Sequence, residues 1–281
     1  MSSASIHIIR GTYEELAGQD DLSPHNPIVT ERLSGLVRCL TQAHCSEEGH
    51  LLARLRELHD VREALPRLCS RAECEMEGFW ARRFLARPSL TISELEEFWY
   101  YRNYAALWAL ERTLLGTRNH GRLVFLGTGS LPLTAIMAAI EPAISSVECV
   151  DLDPAACDLS ARLIRTLGLE HRIRLHPMSA QEYGYRPEDL VLCASLIQGK
   201  AELYQLLFQK EVETFLVRDA EGAYCYLYEP SPLPDPAHYK ALGQTIPTSK
   251  CINTTRLFQR RGGVSSGIVA NEPAINTPQV G

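Results

Sequence analysis

The sequence predicts an α/β fold, in which a helical N-terminal domain precedes a domain built on a mostly parallel β-sheet. Apolar residues recur at helical spacing up to about residue 115. After residue 120, short apolar runs bounded by turn residues alternate with helical segments. Residues 262–281 are rich in Gly, Ser, Pro and Asn and lack apolar periodicity. We therefore predict a helical domain over 1–119, a sheet domain over 120–261 and a loose tail over 262–281.

The helices of the N-terminal domain are predicted from the spacing of leucines and valines. The apolar positions of the first two runs are Leu33, Leu36, Val37 and Leu40, then Leu51, Leu52, Leu55 and Leu58. A third helix is predicted over 61–86, and Pro88 ends it. Ser93 with Glu96 three residues later matches a capping box, so a fourth helix is expected to begin after Ser93.

Seven short apolar runs predict the strands of the second domain. They cover 123–126, 147–150, 173–175, 190–193, 215–217, 223–228 and 254–258. Because helical segments alternate with the first of these runs, we expect helices on both faces of the sheet. Seven strands in this arrangement are typical of a Rossmann-type domain like that of class I methyltransferases.

Composition limits the classes of partner and compartment. A chain of 281 residues with 45% hydrophobic residues can bury a sizeable core. The formal net charge of −6 argues against nucleic-acid binding, which needs clustered Lys and Arg. The nine cysteines are scattered without a CxxC pair, which indicates reduced thiols. No signal peptide or membrane-length apolar stretch is seen, so we expect a cytoplasmic protein without a membrane partner.

A glycine-rich turn follows the first predicted strand. It consists of Gly127, Thr128, Gly129 and Ser130. Missing side chains let a ligand approach the backbone there, although such a short motif also fits an ordinary tight turn. Asp151 ends the second strand and is placed to meet ribose hydroxyls. Asp153, before Pro154, is expected to cap the next helix. The sequence lacks a GxxxxGK[ST] loop, which excludes nucleoside triphosphates, whereas NAD stays open from spacing alone.

Other cofactor contacts are expected where the predicted strands end, because ligands of such folds bind at the carboxyl edge of the sheet. The residues at these ends are Leu152, Ser179, Ala180, Ala194 and Ser195. No metal ligand set is expected, since His44, Cys45 and His50 fall within predicted helices and lack a ligand-pair spacing.

Several motifs together point to a known family. They are Leu68-Cys69 with Ala72, Glu73 and Glu77; Tyr100-Tyr101-Arg102-Asn103-Tyr104; Phe125-Leu126-Gly127-Thr128-Gly129-Ser130-Leu131-Pro132-Leu133; Arg218 with Gly222 and Leu227-Tyr228; and Asn253-Thr254-Thr255. With these motifs the chain resembles the nicotianamine synthases, and within them the bacterial enzymes that make staphylopine-like opine metallophores. Ser130 departs from the proline that plant and archaeal members typically have there.

The resemblance implies a reaction of S-adenosylmethionine as co-substrate, with no metal required. An amine attacks the methionine Cγ, takes the 3-amino-3-carboxypropyl (aminobutyrate) group and releases methylthioadenosine. Nicotianamine synthase repeats the transfer, whereas the opine enzymes make one transfer to histidine, and the compact chain favours histidine. Nicotianamine synthase proper, a methyltransferase and an inert S-adenosylmethionine-binding regulator are the alternatives. The sequence leaves open the oligomeric state, a homodimer included.

Two glutamates are the candidate proton acceptors. Glu73 and Glu77 lie four residues apart on one helix, on the same face as Trp80 and Phe84. From the residues alone, solvated carboxylates paired with arginines are the favoured interpretation. With the resemblance, proton acceptors become the favoured interpretation. Glu77 is preferred as the base because it lies nearer the two aromatic residues, where desolvation would raise its pKa.

The next helix carries an aromatic stripe of Tyr100, Tyr104 and Trp108, and Glu111 continues the same helix face. Such stripes are more often core, but buried tyrosines need hydrogen-bond partners and aromatic faces attract a sulfonium. We assign Tyr104 to the reaction centre and the substrate, and Tyr100 to the cofactor. Arg218 ends a strand on the ligand side, where its fork is expected to hold a carboxylate of the donor arm or the acceptor, the alternative being a surface salt bridge.

Overall fold

The structure is a computed structural model that describes residues 3–44, 56–248 and 251–262. The helices before the first strand are α1 (Ser3–Ala17), α2 (Pro27–His44), α3 (His59–Leu85) and α4 (Tyr101–Leu115), with 3₁₀ turns at Arg56–Leu58 and Ile92–Glu97. The helix predicted over 61–86 is thereby confirmed as α3. Of the predicted run, Leu51, Leu52 and Leu55 lie outside the described residues, whereas Leu58 ends the first 3₁₀ turn. The predicted tail beyond Gly262 also lies outside the described residues.

The capping box predicted at Ser93 is wrong by two residues. Thr91 and Glu94 form it: the Glu94 carboxylate accepts from the Thr91 backbone N–H at 2.7 Å and from its hydroxyl at 2.8 Å. The box opens only the 3₁₀ turn, because Phe98 has an extended backbone that interrupts the helical path. Helix α4 therefore begins at Tyr101.

Within the described residues, seven strands form one sheet in the order β3-β2-β1-β4-β5-β7-β6. They are β1 (Gly121–Leu126), β2 (Ile144–Asp151), β3 (Ile173–Pro177), β4 (Leu190–Cys193), β5 (Thr214–Asp219), β6 (Tyr239–Gln244) and β7 (Thr254–Arg260). The intervening helices are α5 (Leu133–Ala139), α6 (Pro154–Thr166) and α7 (Lys200–Gln209). The first five strands pair in parallel, and β7 pairs antiparallel with both β5 and β6. This is the predicted α/β fold.

One predicted strand is wrong and one strand was missed. The run 223–228 is buried throughout, and it forms a 3₁₀ helix at Gly222–Tyr226. A continuous apolar run does not distinguish a buried strand from a buried helical turn. Strand β6 lies at the sheet edge, and five of its six residues lack the buried side chains that produce an alternating pattern, with a bulge between Ala241 and Gly243.

The N-terminal helices are anchored to the end of the sheet. Ile9, Leu36 and Leu65, from α1, α2 and α3, are fully buried in one cluster with Tyr224 and Tyr226 of the 3₁₀ helix after β5. Helix α3 also packs against α6. This packing brings the acidic face of α3 to the carboxyl ends of the strands. Among the helices of the described ranges, none has the length and apolar character needed to cross a bilayer.

Candidate functional site

A cavity of about 490 Å³ lies at the carboxyl ends of the parallel strands, between them and helices α3 and α4. The predicted site residues that line it are Glu73, Glu77, Tyr100, Tyr104, Gly127, Thr128, Gly129, Asp151, Leu152, Ala180, Ala194, Ser195 and Arg218. Two predicted contacts are not among its lining residues, Ser130 and Ser179. The backbone N–H and hydroxyl of Ser179 instead donate to Glu182, at 3.0 and 2.8 Å, which closes a local turn.

The turn after β1 requires its glycines. Gly127 and Gly129 have φ values of +73° and +71°, a region that L side chains rarely adopt. A Cβ on Gly127 would lie 2.9 Å from Ile197 Cγ1. The Gly127 N–H donates to the Val150 carbonyl at 2.8 Å, which ties the turn to β2. The backbone of this turn therefore forms part of the cavity wall.

Asp151 holds that turn as well as lining the cavity. Its carboxylate accepts from the Gly129 N–H at 2.7 Å and from the Asp153 N–H at 3.0 Å. Asp153 caps α6, as predicted, by accepting from the Ala155 N–H at 2.9 Å, and Pro154 opens the helix. The two neighbouring acids therefore have separate structural tasks.

The two glutamates of α3 meet around one tyrosine. The Tyr104 hydroxyl lies 2.6 Å from Glu77 Oε1 and 3.4 Å from Glu73 Oε1. A phenol has one proton to donate, and the shorter contact directs it to Glu77. Glu73 also accepts a hydrogen bond from Tyr228. Both carboxylates therefore face the cavity as a bridged pair.

Burial raises the pKa of Glu77 to about 8, and the charges of Glu73 and Asp151 add to the rise. Hydrogen bonds from Tyr104 and from the Leu131 backbone oppose it. Burial also raises the pKa of Glu73, against the effect of hydrogen bonds from two tyrosines and the charge of Arg218. The pair thus combines like charges with desolvation, an arrangement typical of functional acids.

The aromatic residues expected beside Glu77 do not line the cavity with it. Trp80 packs on Phe84 and Phe98, with ring centroids 5.6 and 5.5 Å apart, and is not among the cavity-lining residues. Glu77 instead lies against the glycine turn, since a Cβ built on Gly129 would overlap its Oε2. The carboxylate and the turn therefore occupy adjacent space without room for a side chain between them.

Arg218 is neither at the surface nor a free carboxylate clamp. It is 3% exposed, and its Nε and Nη2 donate to Glu111 at 2.8 and 2.9 Å. Nη2 also donates to Thr134 at 3.0 Å, and the Thr255 hydroxyl donates to Glu111 at 2.7 Å. The bidentate edge that was expected to meet a ligand is occupied within the protein. Trp108, which belongs to the predicted aromatic stripe on the helix that carries Glu111, is buried in the core.

The cavity lining also includes residues without a predicted role, among them Tyr228, Asn103 and Asn253. Tyr228 ends the run that was wrongly predicted as a strand, and it follows the 3₁₀ helix in the structure, where it donates a hydrogen bond to Glu73. The Asn253 side chain donates to the Ser195 hydroxyl at 2.9 Å, linking the start of β7 to the end of β4. All three belong to the motifs that define the resemblance, and that was the available signal.

Metal-ligating side chains do not cluster within 3–44, 56–248 and 251–262: no group of three or more His, Cys, Asp or Glu is arranged to hold an ion there. Cys45 and His50, weighed as ligands with His44, lie outside these ranges.

Comparison with known proteins extends along most of the chain. The family model described as nicotianamine synthase protein matches residues 1–265. Nicotianamine synthase 3 of Arabidopsis thaliana is 24% identical over 281 aligned residues, which cover 94% of this chain and 86% of the relative. Nicotianamine synthase 8 of Hordeum vulgare is 28% identical over 292 aligned residues, which cover 96% and 84%.

The fold also matches solved structures. A glutamate-to-glutamine variant of MtNAS in complex with S-adenosylmethionine superposes with a TM-score of 0.80 at 20% identity, covering 92% of this chain and 99% of that one. MtNAS in complex with MTA and tNA gives a TM-score of 0.79 at 20% identity, with the same coverage. The structural likeness shows the shared fold, and the family match covers both the helical part and the sheet. The chain belongs to the nicotianamine synthase family.

Proposed function

We propose that this protein binds S-adenosylmethionine in the cavity and transfers its aminobutyrate group to the amine of an amino acid, releasing methylthioadenosine. The observation that carries the proposal is the pair Glu73 and Glu77, bridged by Tyr104 and packed directly on the Gly129 turn. A proton acceptor thus lies beside the backbone turn expected to hold the donor. The MtNAS complex with S-adenosylmethionine supports this choice of donor.

The cavity suits a nucleoside donor. Its volume of about 490 Å³ falls in the range of ~300–1,000 Å³ that is usual for small-molecule sites. We assign the adenosine end of the donor to the glycine turn and to the strand ends, with Asp151 facing the ribose. Leu152 is 72% exposed and lies at the rim of the cavity. Ala180, Ala194 and Ser195 complete that wall. Tyr100 lines the opposite side, toward the glutamates.

The chemistry needs an unprotonated amine in line with a carbon–sulfur bond. The amine lone pair forms the new N–C bond at Cγ, and the electrons of the broken C–S bond return to sulfur. The sulfonium thereby becomes the neutral thioether of methylthioadenosine. Glu77 accepts one proton from the acceptor ammonium before the attack, the product leaves as a secondary ammonium, and Glu77 returns its proton to solvent.

The pKa of Glu77 matches this task. A free α-amino group has a pKa of ~7.7–8.0, so a carboxylate with a pKa of about 8 exchanges a proton with it at little cost. A bound sulfonium or ammonium would favour the charged form of both carboxylates. Glu73, which accepts from Tyr228 and is attracted by Arg218, is assigned to hold the acceptor ammonium. Tyr104 bridges the two acids and contacts the substrate.

The acceptor is proposed to be histidine, in a single transfer that supplies an opine-type metallophore. The motif resemblance to the bacterial opine enzymes favours it. Nicotianamine synthase proper is the second candidate, favoured by the names of the plant relatives, and would place successive aminobutyrate groups on the growing product. The number of groups transferred and the fate of histidine separate the two.

Product analysis tests the proposal. The protein is incubated with S-adenosylmethionine alone and with single amino acids, and both the nucleoside and the amino-acid products are identified by mass. We expect methylthioadenosine and histidine heavier by one aminobutyrate group in equal amounts. Nicotianamine made without histidine would establish the second candidate. S-adenosylhomocysteine would instead show a methyltransferase, and absence of turnover with retained binding would show a binding protein.

A further inference from the structure

A buried ion pair lies under the cavity and joins five elements of the fold. Glu111, on α4, is fully buried and accepts three hydrogen bonds, two from Arg218 on β5 and one from Thr255 on β7. Arg218 also donates to Thr134 at the start of α5 and lies over the Phe125 ring of β1, 5.5 Å from its centroid. Glu111 itself is not among the residues that line the cavity, but Arg218 is.

This pair is an expensive way to stabilise a fold. Removing two charges from water costs free energy, and apolar residues of similar size often serve as well or better. The pair also restricts the guanidinium, because the Nε and Nη2 edge of Arg218 is occupied by hydrogen bonds to Glu111 and Thr134. Nη1 is the nitrogen left for groups in the cavity. The guanidinium is therefore held in one orientation, as a single-point cation.

That cation distinguishes the two carboxylates of the site. The titratable and charged groups that face Arg218 are Glu111, Glu73, Tyr104 and Cys251. Those that face Glu77 are Glu73, Asp151, Tyr104 and Cys74. The attraction of Arg218 acts on Glu73, whereas Glu77 is faced by two acids.

We propose that Glu111 is a positioning residue for the reaction: by clamping one edge of Arg218, it fixes that positive charge at the cavity floor beside Glu73. Glu73 then stays ionised to hold an ammonium, and Glu77 remains the acid that titrates. The assignment of these tasks to the transfer rests on the proposed function, but the placement of the charge does not.

The test compares two substitutions at one position. Glu111→Gln keeps the shape and loses the charge, whereas Glu111→Asp keeps the charge and shortens the reach. The matched control is Asp189→Asn, since Asp189 is 1% exposed and accepts a bidentate pair from Arg122 at 2.7 and 2.7 Å. Arg122 lies near the amino end of β1, whereas the cavity lies at the carboxyl ends of the strands.

The first readout is the titration of Glu77 in the ligand-free protein, followed by NMR of ¹³C-labelled glutamate carboxyls and assigned with Glu77→Gln. Removing the Glu111 charge leaves Arg218 uncompensated at the cavity floor, so its field should then act on Glu77 as well as on Glu73, and the Glu77 midpoint in Glu111→Gln should fall by about half a pH unit or more. Glu111→Asp should keep the wild-type midpoint. Asp189→Asn should also leave the midpoint unchanged, whatever its effect on stability.

The second readout is aminobutyrate transfer. In Glu111→Gln the acid limb of the kcat/KM profile should move to lower pH with the midpoint, and kcat should fall by roughly 10-fold or more as the charge is mispositioned. Glu111→Asp should lower kcat without moving the limb. If Glu111→Gln does not fold, a normal kcat in Glu111→Asp overturns the proposal.

A folded Glu111→Gln protein with an unchanged Glu77 midpoint also overturns it, as does an equal shift in Asp189→Asn. The titration does not depend on which group is transferred. If the wild-type protein makes no methylthioadenosine, the proposed function fails while the titration still decides whether Glu111 sets the charge beside Glu73.

Discussion

Helices α3 and α4 each carry a buried glutamate near this cavity, Glu77 in its lining and Glu111 beneath it, and the two have different partners. Glu111 on α4 accepts three hydrogen bonds and is neutralised by Arg218. Glu77 on α3 accepts from Tyr104 and the Leu131 backbone, faces a second acid and has a pKa of about 8. The difference teaches that burial alone does not assign a role to an acid. A carboxylate paired with a cation stabilises one arrangement, and one buried beside another acid is ready to take or give a proton.

The largest effect expected from breaking this contrast is on stability at Glu111. Glu111→Ala leaves Arg218 buried without its partner, so the free energy of unfolding should fall by ~3–5 kcal/mol. Urea denaturation measures it. Glu75→Ala, at an exposed position of α3, is the control and should change stability by less than about 0.5 kcal/mol. A loss below about 1 kcal/mol at Glu111 would contradict the pairing described here.

At Glu77 the expected loss is in catalysis. Glu77→Gln keeps the size of the side chain but cannot accept a proton, so turnover should fall by ~100-fold or more while S-adenosylmethionine affinity stays near wild type. In the wild type, kcat/KM should rise with pH through about 8, as Glu77 loses its proton. The variant should recover in part at higher pH, where solvent deprotonates the amine.

Glu73→Gln is the matched control for that experiment, one helical turn away. It should chiefly raise the acceptor KM, because its assigned task is to hold the ammonium. An inactive Glu73 variant beside a near-normal Glu77 variant would move the base role to Glu73. Near-normal turnover in both would show that the amine is deprotonated elsewhere.

Asp151 offers a third comparison, between an acid in the cavity and its neighbour outside it. Asp151→Ala removes the proposed ribose acceptor and the partner of the Gly129 N–H, so S-adenosylmethionine affinity should fall by ~1–3 kcal/mol in calorimetric titration. Asp153→Ala removes only the cap of α6, at a cost of ~1 kcal/mol in stability and none in affinity. Equal affinity in both variants would take Asp151 out of the site.

The smallest expected effect is a gain in stability. The pKa of Glu77 is raised in the folded state, so its favourable contribution is complete below pH 4.5 and is lost as pH rises through about 8. Glu77→Gln has no such loss. The ligand-free variant should therefore gain stability relative to the wild type as pH rises from 4 to 8, with no gain near pH 4. Thermal unfolding at the two pH values measures this, and a variant less stable than wild type at pH 8 would contradict it.

Much of the fold could be predicted because strand and helix produce different periodicities. Strands β1 to β5 and β7 were predicted from short apolar runs, and α3 from leucine spacing. Strand β6 was not predicted, because its position at the sheet edge leaves most of its side chains unburied and removes the alternating pattern. The run 223–228 was wrongly predicted as a strand because all of its residues are buried, which removes the periodicity that distinguishes a strand from a helix.

The site could be predicted where spacing and the family resemblance act together. Spacing placed Glu73 and Glu77 on one helix face and Tyr104 on the next helix, the resemblance assigned them to the reaction, and all three line the cavity. The partner of Arg218 could not be predicted, because Glu111 lies 107 residues away and only the packing of α4 on the sheet brings them together. The raised pKa of Glu77 was predicted from desolvation, which is its main cause in the structure, and the glycine turn that packs on the carboxylate is a contact that the sequence did not predict.

Gly129 has a consequence for redesign. No side chain fits between its Cα and Glu77 Oε2, and its N–H is bound to Asp151. The turn proposed to receive the donor and the acid proposed to receive the proton therefore cannot be exchanged independently of each other. A turn transplanted from another Rossmann domain with any residue larger than glycine at 129 would push the glutamate aside before a ligand arrived. Changes of donor in this scaffold must be made from the strand ends rather than from the turn.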